Sequence, residues 1–366
     1  MRTIRHIVDG QVHHVTLDDL DEYLARPDGF LWIDLAASTD EEALILVDER
    51  LGLDPLIVED MLDDQHLPKV EAYADQVGLV VHGLALEEMD EVTTMELDLA
   101  IKQRLLVTFH VGALASITTV GDRLDRNGPG TISSSVELAH LVLDTMNDIF
   151  VPLLDTFERR LDVIEEDILT RPSEHTRREI YRLQRDVIQL RRAVVPQAEA
   201  VRRLGRDRIG LITLDDQKLF RDLYDHLYRI NELTGSYLQL ADTAMTAYRS
   251  SLDDQLNDML RVLTLISALL LPITVIGSIY GMNFEHMPEL AWRWAYPAIW
   301  IVFVVIVASF LIWFRRRGWL GPIRPSRAWQ ALRDVMEVRT ETGILRMRAP
   351  GMPRHDDDRD TADVSP

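Results

Sequence analysis

Residues 262–284 read VLTLISALLLPITVIGSIYGMNF, twenty-three consecutive side chains without a charge. Residues 294–314, WAYPAIWIVFVVIVASFLIWF, form a second uncharged run of twenty-one between Arg293 and Arg315. A bilayer core about 30 Å thick takes roughly 20 helical residues, whereas uncharged core helices of soluble proteins seldom exceed about 14. The chain is therefore expected to end in two transmembrane helices, at about 260–283 and at 295–315. Arg315, Arg316 and Arg317 follow the second run directly, and the turn EHMPELAWR between the runs nets −1. The positive-inside rule then keeps both termini in the cytoplasm at the inner (plasma) membrane and leaves only the loop 284–294 outside. The start of the chain, MRTIRHIVDGQVHHV, has no apolar h-region of the kind a signal peptide carries. Trp292, Trp294, Tyr296, Trp313 and Trp319 fall where interfacial aromatic belts belong.

Upstream of the membrane the charge is lopsided. The 366 residues carry 60 acidic and 39 basic side chains, a formal net charge of −21, and no cysteine. Such a balance argues against nucleic acid as a partner and for cations. The lack of cysteine removes disulfides, thiolate metal sites and cysteine nucleophiles together. Residues 1–130 hold 27 of the acids and 9 of the bases, so the first third is far more acidic than the rest.

That first third, 1–130, alternates β-rich runs (Gly29–Leu35, Gln76–Leu86, Met95–Ile101, Leu105–His110) with helical patterns, the mark of an α/β domain. A helix is expected at Asp40–Leu51 behind a Thr39/Glu42 capping box. Residues 131–212 read as a helical hairpin. Ser134 and Glu137 cap its first arm, and Pro172 suits the first turn of the second. Eleven arginines between Arg171 and Arg208 most simply decorate it. From Asp215 no proline intervenes until Pro272. A stalk helix, 213–283, is thus expected to run unbroken into the first span, roughly 100 Å in all at about 1.5 Å per residue. Residues 316–366 form a basic cluster and a tail, disordered by composition toward its end, with a short amphipathic helix expected at Ser326–Val338.

Along the membrane half of the stalk, Asn257, Leu260, Thr264, Ser267, Leu271, Thr274, Ser278 and Gly281 recur at alternating spacings of three and four, one seam of a helical bundle. Five of these eight are polar and uncharged. Two readings stand open for the hydroxyls: hydrogen bonds to their own i−4 carbonyls or to a neighbouring helix, or the lining of a water-filled conduit. A two-span chain cannot enclose a conduit alone, so the second reading requires a symmetric homo-oligomer. Neither span contains Asp or Glu, and neutral oxygens suit a cation that keeps its water, Mg2+ above all. Asp253, Asp254 and Asp258 just below the first span would concentrate cations at a mouth, or simply solvate a helix face.

Tyr280-Gly281-Met282-Asn283, closing the first span, and Phe284-Glu285-His286-Met287-Pro288-Glu289-Leu290 behind it strongly resemble the CorA family of divalent-cation channels, within the two-transmembrane Gly-Met-Asn superfamily. The likeness extends upstream through Ile57-Val58-Glu59-Asp60-Met61-Leu62, Pro68-Lys69-Val70-Glu71 and Phe220-Arg221-Asp222-Leu223-Tyr224-Asp225-His226. The resemblance implies a funnel-shaped homopentamer: an α/β cytoplasmic domain, a long α-helical stalk and two C-terminal transmembrane helices, with the first spans around the pore. It implies a selectivity filter at Gly281, Met282 and Asn283, where the Asn ring holds Mg2+ through its water, and a pore through Asn257, Leu260, Leu271 and Thr274. Leu260 and Leu271 stand where some relatives have methionine, and Ser278 where glycine is frequent. It further implies a regulatory Mg2+ bound between subunits by Asp60 and Asp222, with Glu59 nearby. Loss of that ion would let carboxylates repel and a hydrophobic constriction open.

On this reading the chain is no enzyme; its ligand is Mg2+, as both cargo and regulator, with Co2+ and Ni2+ as further cargo. A zinc transporter of the related ZntB type, and a membrane sensor or scaffold that transports nothing, remain as alternatives. Met282 and the absence of a Cys or His cluster favour the first reading.

Overall fold

The computed structural model describes residues 2–36, 50–63, 66–84, 92–283, 287–288 and 292–319. By contacts the chain divides into two compact units that part between Met245 and Thr246. The first is built on a seven-stranded sheet of β1 (Arg2–Val8), β2 (Gln11–His14), β3 (Phe30–Ala36), β4 (Lys69–Ala72), β5 (Gln76–Leu84), β6 (Thr94–Lys102) and β7 (Leu105–His110). The order across the sheet is β2-β1-β3-β7-β6-β5-β4, antiparallel throughout except for β3 beside β7. β1 and β2 turn through Asp9 and Gly10, at φ 48° and 74°, the left-handed pair that Asp-Gly favours in a two-residue hairpin.

Helices α1 (Leu20–Ala25), α2 (Pro55–Leu62), α3 (Ala115–Asn127), α4 (Ser135–Thr170) and α5 (Glu174–Arg206) complete this unit with the first half of α6 (Leu214–Tyr280). The central strands β3 and β7 are buried on both faces. Toward α1 and α2, Leu31, Ile33 and Leu35 of β3 and Leu105, Val107 and Phe109 of β7 join Leu20, Ile57 and Met61 in one core. On the opposite face the alternate residues carry a polar chain. Trp32 Nε1 donates to Thr108 Oγ1 at 3.0 Å, and Thr108 Oγ1 donates to Asp34 Oδ1 at 2.6 Å. Because Asp34 and Thr108 are register partners across the parallel pair, a slip of one residue would break this chain.

The helical hairpin packs against the sheet within the same unit instead of standing as a separate body. Apolar residues Ile180, Leu183, Val187, Leu190 and Val194 bury one stripe of α5, and an Arg160–Asp186 ion pair of 2.6 Å is inserted where Asp186 is covered. Arginines on the outer face pair with acids of their own helix, as in Arg177–Glu174, Arg182–Glu179 and Arg202–Glu199. Pro172 does not enter the second arm: Ser173 is its N-cap and closes a reciprocal capping box with Thr176, so the helix starts two residues later. At the head of α4 the box is split. Ser134 accepts from the Glu137 amide, but the Glu137 carboxylate returns to Ser133.

In the second unit α6 continues without a break to Tyr280, 67 residues in all, and α7 (Ala295–Arg316) follows. Both contain stretches long and apolar enough to cross a membrane. The expected helices at Asp40–Leu51 (as far as residue 49) and at Ser326–Val338 lie outside the described residues, as does most of the turn after Asn283.

Gly29 connects α1 to β3 at φ 66°, and a Cβ there would lie 2.3 Å from the Ile7 carbonyl; Gly10, at φ 74°, has nothing within 4 Å. Gly10→Ala should therefore cost only the left-handed penalty, about 1 kcal/mol. Gly29→Ala should cost several times that, seen as lost hydrogen-exchange protection in β1 and β3; equal losses at the two positions would contradict the packing described.

Candidate ion pathway and metal sites

The seam read from the sequence is uncovered in the chain. Asn257, Leu260, Thr264, Ser267, Leu271, Thr274, Ser278 and Gly281 are all exposed, Leu260 at 60% and Leu271 at 67%. One residue further along, Asp258, Arg261, Leu265, Ala268, Pro272 and Ile276 are partly covered, as are Ile299, Phe303, Ile306 and Phe310 of α7 at the same helical spacing, and Phe314 is buried. The covered side of α6 thus lies next to the polar seam, and among the described residues the seam's Asn257, Leu260 and Thr264 share an open cleft with Gly318 and Trp319. Of the acidic residues below it, Asp253 is exposed while Asp254 and Asp258 are partly covered.

Both threonines of the seam take the first reading left open above: Thr264 donates to Leu260 O at 2.8 Å and Thr274 to Leu270 O at 2.9 Å. The second reading survives this. A hydroxyl has one proton and two lone pairs, so committing the proton to a backbone carbonyl leaves an oxygen that can only accept. The outer surface of a hydrated cation consists of water protons, and acceptors are what it needs.

The lower ends of the two apolar helices are clasped. Gly318, at φ 74°, ends α7 with its amide bonded to Arg315 O, the Trp319 amide bonded to Phe314 O, and the Trp319 and Phe314 rings stacked 5.6 Å apart. This is a Schellman cap with its hydrophobic contact. Arg261 of α6 donates to the freed Gly318 carbonyl at 2.6 Å. At the other end α6 stops at Tyr280, not at 283, and Gly281 and Met282 bond back to Gly277 and Ile279. Gly281, Met282 and Asn283 are exposed beyond the helix end.

The residues expected to hold a regulatory ion are spread over the N-terminal unit. Glu59 is exposed on α2, Asp222 is exposed on α6, and Asp60 is only 23% exposed. Asp60 already has a cation: Lys69 Nζ of β4 lies 2.7 Å from its Oδ1 and 3.4 Å from Glu71 Oε1. Burial opposes the charge on Lys69, but Asp60 and Glu71 outweigh it and hold the ammonium above its usual pKa. The Tyr73 hydroxyl, donating to Glu71 Oε2 at 2.6 Å, holds that carboxyl below the usual range, helped by Lys69 and Arg203. Near Asp222 the sequence reading missed His140 of α4, which Asp144 of the same helix also faces. Burial pushes His140 down against the charges of Asp144 and Asp222, and raises Asp148 with help from Asp144. Among the described residues of one chain, no three His, Asp or Glu side chains converge to hold a metal. A carboxylate that attracts an internal ammonium has the chemistry for a hard cation, but such a site needs further ligands.

The family model for the CorA-like Mg2+ transporter protein matches residues 27–316. The chain belongs to this family. It is 30% identical over 292 residues to the cobalt/magnesium transport protein CorA of Thermotoga maritima, covering 79% of this chain and 83% of that one. The fold is also that of the complete CorA magnesium transporter of Methanocaldococcus jannaschii, with a TM-score of 0.76 over 87% of this chain and 99% of that one at 21% identity. The cytoplasmic domain of ZntB from Vibrio parahaemolyticus is similar as well, with a TM-score of 0.58 over 69% of this chain and 98% of that one at 19% identity. Family membership supports a transporter over a sensor or scaffold.

If the threonine oxygens serve as acceptors, Thr264→Val with Thr274→Val, near-isosteric but without the oxygen, should reduce divalent flux into liposomes about thirtyfold, at about 1 kcal/mol for each lost hydrogen bond. Thr→Ser at both positions should retain most of it. Equal flux in the valine and serine variants would remove the hydroxyls from the pathway.

Proposed function

We propose that the chain assembles as a homopentamer that passes hydrated Mg2+ down its electrochemical gradient into the cytoplasm, with Co2+ and Ni2+ as further cargo. The observation that carries this is the seam of neutral oxygen acceptors on α6, uncovered in the single chain and ending at Gly281-Met282-Asn283. Five such helices would enclose a column of water lined by Asn257, Leu260, Thr264, Ser267, Leu271, Thr274 and Ser278. Gly281 and Met282 would present a ring of Asn283 amides to the ion's water at the outer rim. Asp253, Asp254 and Asp258, repeated five times, would raise the cation concentration at the inner mouth. Both termini would face the cytoplasm. The name and extent of likeness of the Thermotoga maritima relative support cobalt or magnesium as cargo.

The regulatory reading draws on where the carboxylates lie. Asp60 and Asp222 sit on different elements, and among the described residues no metal cluster joins them, an arrangement suited to a cation bridging neighbouring subunits. When cytoplasmic Mg2+ falls, its departure would loosen the ring, and the constriction at Leu260 and Leu271 would widen and wet.

Asn283→Ala should abolish Mg2+ uptake into liposomes while the oligomer still elutes at its native size; undiminished flux would overturn the filter assignment. Running the wild-type assay with Mg2+ and with Zn2+, with and without a proton gradient, separates the magnesium reading from the zinc one. Independently, Asp60→Ala with Asp222→Ala should leave flux intact but weaken Mg2+-dependent protection of the N-terminal unit from protease. Unaltered protection would sink the regulatory assignment.

A further inference from the structure

Lys69 opens β4, an edge strand of the sheet, with Glu71 two residues on and on the same face. Its ammonium lies between two carboxylates of unequal exposure, Asp60 at 23% and Glu71 at 43%. It is nearer Asp60, at 2.7 Å against 3.4 Å. Glu71 is held ready by the Tyr73 hydroxyl on its other oxygen. The small cleft at this point is lined by Asp60, Glu71 and Asp98 with Lys69 as the single basic group among the lining residues.

We propose that Lys69 is a tethered competitor for the divalent cation at Asp60, neutralising that carboxylate when no ion is bound and moving to Glu71 when one arrives. The inference rests on the reading of Asp60 as a cation ligand and deepens it. Metal binding then becomes an exchange of cations. The ammonium need move only far enough to close a 3.4 Å approach to Glu71 into a hydrogen bond. Apparent affinity is the intrinsic affinity scaled by the fraction of Asp60 that the lysine leaves free, so the sensor is tuned to a higher Mg2+ concentration than its carboxylates alone would set. The exchange also removes Asp60 from the repulsion that follows ion loss, because the lysine returns to it. Glu59 and Asp222, both exposed, carry that repulsion.

Lys69 is one of only three lysines in the sequence, with Lys102 and Lys218, so its movement can be read directly. Full-length protein in lipid nanodiscs is acetylated with a limiting amine-reactive ester, with and without MgCl2 at matched ionic strength, and each lysine is quantified by mass spectrometry. Mg2+ should raise the Lys69 rate relative to Lys102 and Lys218, since the ammonium moves to the more exposed carboxylate. An unchanged or slower Lys69 rate overturns the exchange, and this arm needs no variant. In the second arm, the Mg2+ midpoint for protease protection should fall roughly three- to tenfold in Lys69→Gln and rise in Glu71→Gln. Lys69→Gln should have no effect on an Asp60→Asn background; an effect that persists there would make Lys69 a mere contributor to the field and overturn the proposal. A midpoint that Asp60→Asn itself leaves unmoved would instead sink the regulatory reading of Asp60. A midpoint moved by Asp60→Asn but not by Lys69→Gln would sink only the competition.

Discussion

A polar side chain within hydrocarbon must be satisfied by its own helix, by another helix or by water. The seam on α6 meets that requirement only halfway, because Thr264 and Thr274 place their protons on their own backbone while, among the described residues, no side chain donates to their oxygens or pairs with the amide of Asn257. The uncovered face is broad, and beside the seam it carries Leu263, Ile266 and Leu270, large apolar residues suited to a neighbouring helix or to lipid. Division of one exposed surface into an acceptor line and an apolar flank is what a helix in a ring around water requires. The proposed assembly would complete the hydrogen bonding that the single chain leaves open.

The clasp at the opposite end bears on how such a ring could move. Arg261 is the first charge below the uncharged run, and it reaches the carbonyl that the Gly318 cap leaves free. A guanidinium is costly to desolvate alone, so this bond and the rings of Phe314 and Trp319 hold α6 and α7 in fixed register at that level. A constriction formed by Leu260, one residue before Arg261, could therefore widen by the two helices shifting together more readily than by α6 turning alone.

Much of this was legible from local pattern. The two uncharged runs, the long arms of the hairpin and the buried strands β3, β5, β6 and β7 are continuous, strongly periodic segments whose sequence signal exceeds their context. β1, β2 and β4 were not read, since RTIRHIV, QVHH and KVEA are short or interrupted by charge, and only pairing with a neighbour makes strands of them. The start of α5 was misplaced at Pro172 because a proline that can open a helix can also precede it, and the hydroxyl of Ser173 decided the matter. The partners of Asp60 and Asp222 were beyond reach for a different reason. Lys69 meets Asp60 from a separate strand, and His140 approaches Asp222 from a helix some eighty positions away, so no spacing in the sequence encodes either. Pro68-Lys69-Val70-Glu71 did contain a hint, as strand alternation puts 69 and 71 on one face.

The donor chemistry along the proposed path also bears on which metal it suits. Zinc is held by imidazole nitrogen and thiolate sulfur in tetrahedral sites that shed water. Between Arg261 and Glu285 the chain offers neither histidine nor cysteine, and no carboxylate that could strip a hydration shell. It offers hydroxyl and amide oxygens, which bind the outside of a hydrated ion with little cost and little grip. Such a path discriminates by the size and rigidity of the ion with its water, a criterion on which the tightly held octahedral shell of Mg2+ is distinctive. Weak, repeated acceptor contacts also let the ion leave as easily as it enters, which is the condition for conduction rather than storage.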